Sequence, residues 1–166
     1  MFLKYFISQS PIEAFNFITM TIPQLAEITV SYKPNNREKP VIKRSQDAYE
    51  VFKGFFSGDT IALQESFAAM YLNRANKIIG VYMLSKGGVT GTVADPRLIL
   101  AVALKTAACS IMLCHNHPSG NLKPSRQDEE LTYKIKEAGK YMDIKVIDHL
   151  VLDDDGYYSF ADESMI

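Results

Sequence analysis

Residues 98–108 are apolar around almost the whole circumference of the helix that their pattern predicts. Asp95 and Pro96, just before them, are typical of an N-cap and a first helical residue. A helix that is apolar on every side is buried. Its longest strictly apolar run, 98–104, is far too short to span a bilayer. The segment therefore predicts a helix inside the core of a globular domain.

The patterns around this helix alternate between strands and helices. Strands are predicted for 26–32, 66–72, 77–84, 110–114, 144–152 and 157–160. Two more helices are predicted, over 45–56 with Ser45 as the candidate N-cap, and over 125–141. The second and third strands form a sequential antiparallel hairpin, which a doubly wound parallel sheet does not contain. The pattern therefore predicts an α/β fold with a mixed sheet and helices packed on it.

Length and composition indicate one soluble globular domain. The chain has 166 residues, of which 47% are hydrophobic and 22% charged. A chain of this size buries a sizeable core without disulfides or a partner. We expect residues 46–166 to form the domain, and residues 1–45 to be an N-terminal segment with the first strand, packed on it. Residues 2–7 are apolar but broken by Lys4, and no signal-peptide cleavage site follows.

Charge gives little support for general nucleic-acid binding, because the net charge is only −1. One local exception is a basic strip, opposed only by Glu38 and made of Lys33, Arg37, Lys39, Lys43 and Arg44. The simpler interpretation of this basic strip is a solvated connector. The alternative is a contact surface for nucleic acid.

The cysteine pattern favours a reducing compartment. Cys109 and Cys114 lie five positions apart in an apolar run and form neither a C-x-x-C pair nor a disulfide framework. They are interpreted as reduced, buried thiols, and a cytoplasmic location with no membrane partner is expected. Strand alternation points Cys114 away from the two histidines that follow, so it is assigned to the core.

Two of the three histidines of the chain, His115 and His117, follow an apolar strand directly. Residues two apart in an extended segment point to the same side, so both imidazoles can bind one ion. Asp128, in the first turn of the next helix, suits the third ligand of a catalytic zinc, which leaves the fourth position to water. A lone H-x-H pair is usually an ordinary surface or core feature. Its combination with S-x-x-D downstream is much more specific.

Two further residues are candidates for the chemistry. A metal-bound water needs a base, and Glu65 is the only carboxylate between Asp59 and Asp95, at the start of the predicted hairpin. Spacing alone does not distinguish this role from that of an exposed strand-end glutamate. Ser125, at a helix start, could help to hold an oxyanion. On position alone, a plain N-cap serine is the simpler interpretation.

These residues together match a known pattern. Glu65, then His115-x-His117-Pro118, six residues, and Ser125-x-x-Asp128 is the full JAMM motif. The stretches "SKGGVTGTVADPR", "HNHPSGNLKPSRQD", "DHLV" and "YYSFADE" resemble the RadC-like JAB domain of the JAB/MPN (JAMM) zinc metalloprotease superfamily. The resemblance covers about residues 46–164, with no gap in the motif.

The resemblance implies an α/β/α sandwich of the cytidine-deaminase-like kind, with helices on both faces of a mixed sheet. It implies one Zn²⁺ held by His115, His117 and Asp128, with Glu65 as general acid/base and Ser125 stabilising the tetrahedral intermediate. Relatives of this superfamily hydrolyse peptide or isopeptide bonds, so a protein or peptide substrate is expected.

The RadC name implies a second function. The alternative to the hydrolase is a DNA-repair-associated accessory protein with weak or no hydrolase activity, linked indirectly to the repair machinery. Longer relatives carry a helix–hairpin–helix-like region whose hairpin needs glycine, and no glycine precedes Gly54 here. We therefore expect that region to be absent. His149, beside Asp148, falls outside the metal motif and is interpreted as a structural residue or one that lies behind a ligand.

Overall fold

The structure is a computed structural model that describes residues 32–35, 37–56, 61–88 and 91–166. All of them belong to one compact unit, 31–166. In chain order its named elements are α1 (Ser45–Phe55), β1 (Ser66–Leu72), β2 (Ile78–Lys86), α2 (Pro96–Lys105), β3 (Ser110–Asn116), α3 (Arg126–Lys140), β4 (Lys145–Leu152) and β5 (Tyr157–Ser159).

The strands form one mixed sheet in the order β2-β1-β3-β4-β5. β1 is antiparallel to both of its neighbours, β2 and β3. β3 and β4 are parallel, and β5 returns antiparallel along β4. β3 and β4 are adjacent parallel strands, and α3 provides the crossover connection between them. β2 and β3 lie on either side of β1, and α2 connects them across it. The predicted mixed sheet with a sequential hairpin is confirmed.

Helices cover both faces of this sheet because the central strands are buried on both sides. All of β1 is buried, and its residues alternate between two apolar clusters. Phe67, Ala69 and Tyr71 join the cluster that contains residues of α2 and α3. The alternate residues of β1 join the cluster that contains the buried face of α1. The α/β architecture with helices on both faces is therefore confirmed.

Local capping explains where two helices begin. The Asp95 side chain accepts a hydrogen bond from the backbone N–H of Arg97, and Pro96 is the first residue of α2, as predicted. For α1 the prediction of Ser45 as N-cap is wrong. Arg44 is the N-cap, because the Asp47 carboxylate accepts hydrogen bonds from the backbone N–H groups of Lys43 and Arg44.

The strand predicted over 110–114 continues to Asn116. Its pairing with β1 reaches His115, and its parallel pairing with β4 reaches Asn116. His115 and Asn116 are polar and would suit a loop, but their backbone pairs with the neighbouring strands, which keep it extended. The first metal-ligand candidate therefore lies on a rigid strand.

Some predictions fall outside the described residues. The strand predicted over 26–32 lies there except for Tyr32, as does most of the segment 1–45, so the proposed domain boundary stays a prediction. Among the helices in the described part of the chain, none has the length and apolar character needed to cross a bilayer.

The two cysteines differ in environment. Cys114 is fully buried, as predicted, and burial raises the pKa of its thiol well above the ordinary value. The prediction that Cys109 is buried is wrong, because it is exposed. It precedes β3, where its backbone bonds Leu72 and Lys145 at the sheet margin, and its side chain lies outside both apolar clusters.

Two helical glycines should respond oppositely to replacement by alanine. A Cβ on Gly54, exposed in α1, meets nothing within 4 Å. Gly54→Ala should raise the free energy of unfolding by about 0.5–1 kcal/mol through helix propensity. A Cβ on Gly139 would lie 2.5 Å from the backbone oxygen of Ile144. Gly139→Ala should lower the free energy of unfolding by about 1–3 kcal/mol because the backbone at Ile144 must move. Urea denaturation measures both, and equal effects of the two changes would contradict the packing of α3 against residue 144.

Candidate metal centre

The candidate residues meet at one edge of the sheet because of strand direction. β3 and β4 are parallel, so both end there, and the backbone N–H of His117 bonds the carbonyl of Leu152 at 3.0 Å. β1 is antiparallel to β3, with Phe67 opposite His115. Glu65, two residues before Phe67, therefore reaches the same edge, next to His117. A crevice at the carboxyl ends of parallel strands is a common place for a site in α/β folds.

Three ligand atoms converge at this edge. His115 Nε2 lies 2.9 Å from His117 Nε2. One Asp128 oxygen lies 3.4 Å from His115 Nε2 and the other 3.9 Å from His117 Nε2. Tetrahedral bonds of about 2.0–2.1 Å to Zn²⁺ place neighbouring ligand atoms roughly 3.3 Å apart. The three separations bracket that value, so one ion can be shared by all three residues.

A turn after the strand orients the second imidazole. Gly120 has φ +76°, a conformation that glycine adopts without strain, and its N–H bonds the carbonyl of His117 at 3.0 Å. The chain then returns so that the carbonyl of Asn121 lies 2.5 Å from His117 Nδ1. A carbonyl oxygen only accepts, so Nδ1 carries the hydrogen. In the neutral ring, Nε2 therefore presents its lone pair to His115 and Asp128.

The carboxylate is held by the start of α3. Ser125 is the N-cap, and its backbone N–H and its hydroxyl donate to Asp128 Oδ2 at 2.7 and 2.6 Å. Burial alone would raise the pKa of Asp128. The two hydrogen bonds that Ser125 donates favour the charged form and help to hold that pKa below its ordinary value. The group is therefore an anion at neutral pH.

This set of donors suits a cation. A lone pair from His117 and a carboxylate face the Nε2 of a second imidazole at short range, in a setting that is partly closed to water. Side-chain exposure is 1% for His115, 16% for His117 and 15% for Asp128. A cation between these side chains would be attracted by the carboxylate charge and by the ring lone pairs that face it. Among the described residues, these three form the one group of histidine, cysteine and acidic side chains with metal-binding geometry.

Glu65 faces the same cleft as two of the ligand candidates, His117 and Asp128. The cleft has a volume of about 580 Å³, and its lining includes Glu65, Thr92, His117 and Asp128. Gly87 and Gly88 hold the backbone of Glu65 in place. The N–H of Gly87 donates to the carbonyl of Glu65 at 2.7 Å, and the N–H of Glu65 donates to the carbonyl of Gly88 at 2.9 Å. The N–H of Thr92 donates to Glu65 Oε1 at 3.2 Å.

Asn116, between the two histidines, points to the other face of the sheet and was missed by the sequence analysis. It is fully buried. Its Oδ1 accepts from the N–H of Ser66 at 2.8 Å, and its Nδ2 donates to the carbonyls of Ile61 and Gln64 at 2.6 and 2.9 Å. These bonds tie the segment that carries Glu65 to the strand that carries His115. A polar residue between two ligands in a strand was the available signal.

His149 lies directly behind His115, as the sequence analysis allowed. Its Nε2 is 2.8 Å from His115 Nδ1. Burial, with the nearby His115, lowers the pKa of His149 well below its ordinary value, so the ring is neutral. Burial raises the pKa of the adjacent Asp148, partly offset by hydrogen bonds from the backbone of Ala161 and the hydroxyl of Ser159. Asp148 thus fixes the chain after β5 and has no contact with the ligand candidates.

Two other sequence features have simple structural outcomes. Lys33, Arg37, Lys43 and Arg44 of the basic strip are exposed, and Arg44 pairs with Asp47. Its use as a nucleic-acid contact stays a prediction. Asp153 accepts hydrogen bonds from the N–H groups of Asp155 and Gly156, which makes 153–156 the turn between β4 and β5.

Replacing Asn116 should destabilise the fold more than its volume implies. Asn116→Leu leaves one buried N–H and two carbonyls without their partner, at a cost of about 3 kcal/mol or more. Met112→Leu, on the same strand and face, is the matched control and should cost less than about 1.5 kcal/mol. Urea denaturation compares the two, and equal losses would show that Asn116 does not tether the segment before β1.

Comparison with known proteins identifies the family. Residues 42–165 match the family described as RadC-like JAB domain. A "UPF0758 protein" of Flavobacterium johnsoniae is 42% identical over 124 residues, which cover 75% of this chain and 53% of the relative. A "UPF0758 protein" of Porphyromonas gingivalis is 39% identical over 146 residues, which cover 86% of this chain and 63% of the relative.

A third relative shows the same partial coverage. A "UPF0758 protein" of Streptococcus gordonii is 46% identical over 101 residues, which cover 61% of this chain and 45% of that protein. The chain thus spans between about half and two thirds of the length of these relatives. The match from residue 42 to residue 165 contains β1, β3 with His115, the following His117, and the start of α3. The chain belongs to the RadC-like JAB domain family.

Proposed function

We propose that this protein is a zinc-dependent hydrolase of peptide, isopeptide or related amide bonds in a protein or peptide substrate. The observation that carries the proposal is the convergence of two imidazole nitrogens and a carboxylate on one point, in a cleft that Glu65 also lines. Family membership supports it, because the resemblance described above places metalloproteases in the same superfamily.

The ligand set fits a catalytic ion better than a structural one. Zn²⁺ bound there would polarise a carbonyl oxygen and acidify a water molecule. His115, His117 and Asp128 provide three donors and one negative charge, which leaves the ion with net positive charge. A structural zinc site closes its fourth position with another protein ligand. Among the described residues, no fourth histidine, cysteine or acidic side chain joins this group.

Glu65 is placed to move protons. One carboxylate oxygen accepts from the backbone of Thr92, which fixes the side chain in the cleft. The other oxygen can take a proton from the attacking water and return it to the nitrogen of the leaving amine. A carboxylate held at the rim of a cleft by a backbone N–H is suited to this shuttle because it need not reorganise between the two transfers.

Ser125 acts first on the carboxylate of Asp128. Its single hydroxyl hydrogen lies on the 2.6 Å contact to Asp128 Oδ2, so it orients a ligand in this arrangement. Stabilising an oxyanion requires the hydroxyl to turn from Asp128 toward the cleft, which both residues line. The oxyanion role of Ser125 stays part of the proposal on that condition.

A zinc-binding measurement tests whether these residues bind a metal ion and whether Asp128 is one of its ligands. We expect wild-type protein to bind about one Zn²⁺ per chain, and Asp128→Ala to lose at least about 100-fold in affinity because one of three ligands is gone. Glu129→Ala, an exposed neighbour on the same helix turn, is the matched control and should bind as the wild type does. Elemental analysis after dialysis, with chelator competition for the dissociation constant, measures both. Equal zinc in the two variants would remove Asp128 from the ligand set.

The hydrolysis rate of a Glu65 variant tests the proposed role of Glu65 in proton transfer. Glu65→Gln keeps the shape of the side chain and should retain zinc, but lose about 10²- to 10⁴-fold in hydrolysis rate. The assay incubates zinc-loaded protein with peptides and isopeptide-linked conjugates and detects new amines by mass spectrometry. Glu137→Gln, on the outer part of α3, should keep the wild-type rate. Undiminished hydrolysis by zinc-bound Glu65→Gln would contradict the role of Glu65.

A further inference from the structure

A chain of hydrogen bonds runs from Nδ1 of His115, the ring nitrogen that faces away from His117 and Asp128, to the main chain of α3. His115 Nδ1 lies 2.8 Å from His149 Nε2, and His149 Nδ1 lies 2.6 Å from the hydroxyl oxygen of Thr132. That hydroxyl lies 2.6 Å from the carbonyl oxygen of Asp128. His115, His149 and Thr132 are all buried, so water does not compete for these contacts.

The direction of every bond follows from the carbonyl at the end. A carbonyl oxygen has no hydrogen, and two oxygens 2.6 Å apart repel unless a hydrogen lies between them. The hydroxyl of Thr132 therefore donates to Asp128 and has no second hydrogen to offer. The contact with His149 must then be a donation from His149 Nδ1 to Thr132.

The hydrogen position on His115 follows from that on His149. The ring of His149 is buried, and its two nitrogens bond Thr132 and His115 rather than a carboxylate, so it carries one hydrogen. With that hydrogen on Nδ1, Nε2 accepts. His115 Nδ1 is therefore the donor, and the lone pair of His115 lies on Nε2, which faces His117 and Asp128.

We infer that Thr132 and His149 are positioning residues that hold His115 in the one tautomer able to bind a metal through Nε2. The inference rests on the proposed metal site. This chain of hydrogen bonds ends at the backbone carbonyl of Asp128. One turn of α3 therefore supplies the Asp128 ligand and also determines which ring nitrogen of His115 carries the hydrogen. An imidazole without such a partner divides between two tautomers, of which only one presents Nε2 as a ligand.

A purely structural role for these residues is the competing explanation. A threonine hydroxyl that bonds the carbonyl four residues earlier is common in helices. The His149 ring also stacks on Phe160, with centroids 4.8 Å apart. On that explanation, replacements would lower stability but leave the hydrogen position on His115 unchanged. The tautomer itself is therefore the deciding measurement.

The test compares Thr132→Val with Thr132→Ser. Valine keeps the shape and removes the hydroxyl, and serine keeps the hydroxyl. Long-range ¹H–¹⁵N NMR at about pH 8 reads the imidazole nitrogens of metal-free protein, which has only three histidines to assign. Competition with a chelating dye gives the Zn²⁺ dissociation constant. Thr106→Val is the matched control, because the hydroxyl of Thr106 also bonds the carbonyl four residues earlier, that of Val102.

We expect wild type, Thr132→Ser and Thr106→Val to carry the His115 hydrogen on Nδ1 and to bind Zn²⁺ equally. In Thr132→Val we expect Nε2–H on His115 to appear and Zn²⁺ binding to weaken about 10- to 100-fold. His149→Phe, which keeps an aromatic ring against Phe160, should weaken Zn²⁺ binding as much and decides the matter if the valine variant does not fold. Nε2–H in the wild type, or an unchanged tautomer and affinity in a folded Thr132→Val, would overturn the inference.

The two proposals fail separately. Wild-type protein that shows the expected tautomer but binds no Zn²⁺ would contradict the proposed function and leave the hydrogen-bond direction standing. Wild-type protein that binds Zn²⁺ with the other tautomer, through a rearranged site, would overturn the inference and leave the proposed ion standing.

Discussion

The close approach of His115, His117 and Asp128 brings together at one point three side chains that can each donate an electron pair, and positive charge between them would stabilise that arrangement. Nε2 of the two rings is 2.9 Å apart, close enough for both nitrogens to bind one ion. The surrounding contacts all act on this point. The carbonyl of Asn121 orients one ring, His149 lies behind the other, and Ser125 holds the carboxylate.

Successive residues of β3 point to opposite faces of the sheet and make different contacts there. His115 faces the layer of α2 and α3, while Asn116 faces the layer of α1 and tethers the segment before β1. The proposed base and the two histidines therefore reach one edge through a single strand and its antiparallel neighbour. Because all of β3 is buried, the position of His115 is coupled to the core.

Sequence patterns predicted the mixed sheet, the start of the helix after Asp95, the N-cap at Ser125 and the candidate ligands. These features depend on local periodicity and on spacing, which a single chain displays. The prediction that the helix after Asp95 is buried on every side is wrong, because Leu98 and Leu104 are exposed and only one face packs on the sheet. The N-cap of α1 was placed one residue too late because Ser45 is a typical cap residue. The hydrogen bonds that Asp47 accepts from the backbone of Lys43 and Arg44 make Arg44 the N-cap. Cys109 was misplaced because an apolar neighbourhood in sequence does not reveal which residue lies at the end of a strand.

The contacts that spacing could not predict are those between distant segments. Asn116 with Ile61, and Thr132 with His149, depend on register and on helix docking, which exist only in the folded chain. The roles of Glu65 and Ser125, and the boundary near residue 45, stay predictions. For Glu65, the antiparallel pairing of β1 explains how a residue far from β3 in sequence reaches the same cleft.

X-ray absorption spectroscopy of zinc-loaded protein tests the shared ion most directly. The account predicts a first shell of about four nitrogen or oxygen atoms at about 2.0–2.1 Å, with the multiple-scattering signature of two imidazoles. A sulfur atom in that shell at about 2.3 Å, or a spectrum with no imidazole contribution, would contradict a site built from His115, His117 and Asp128.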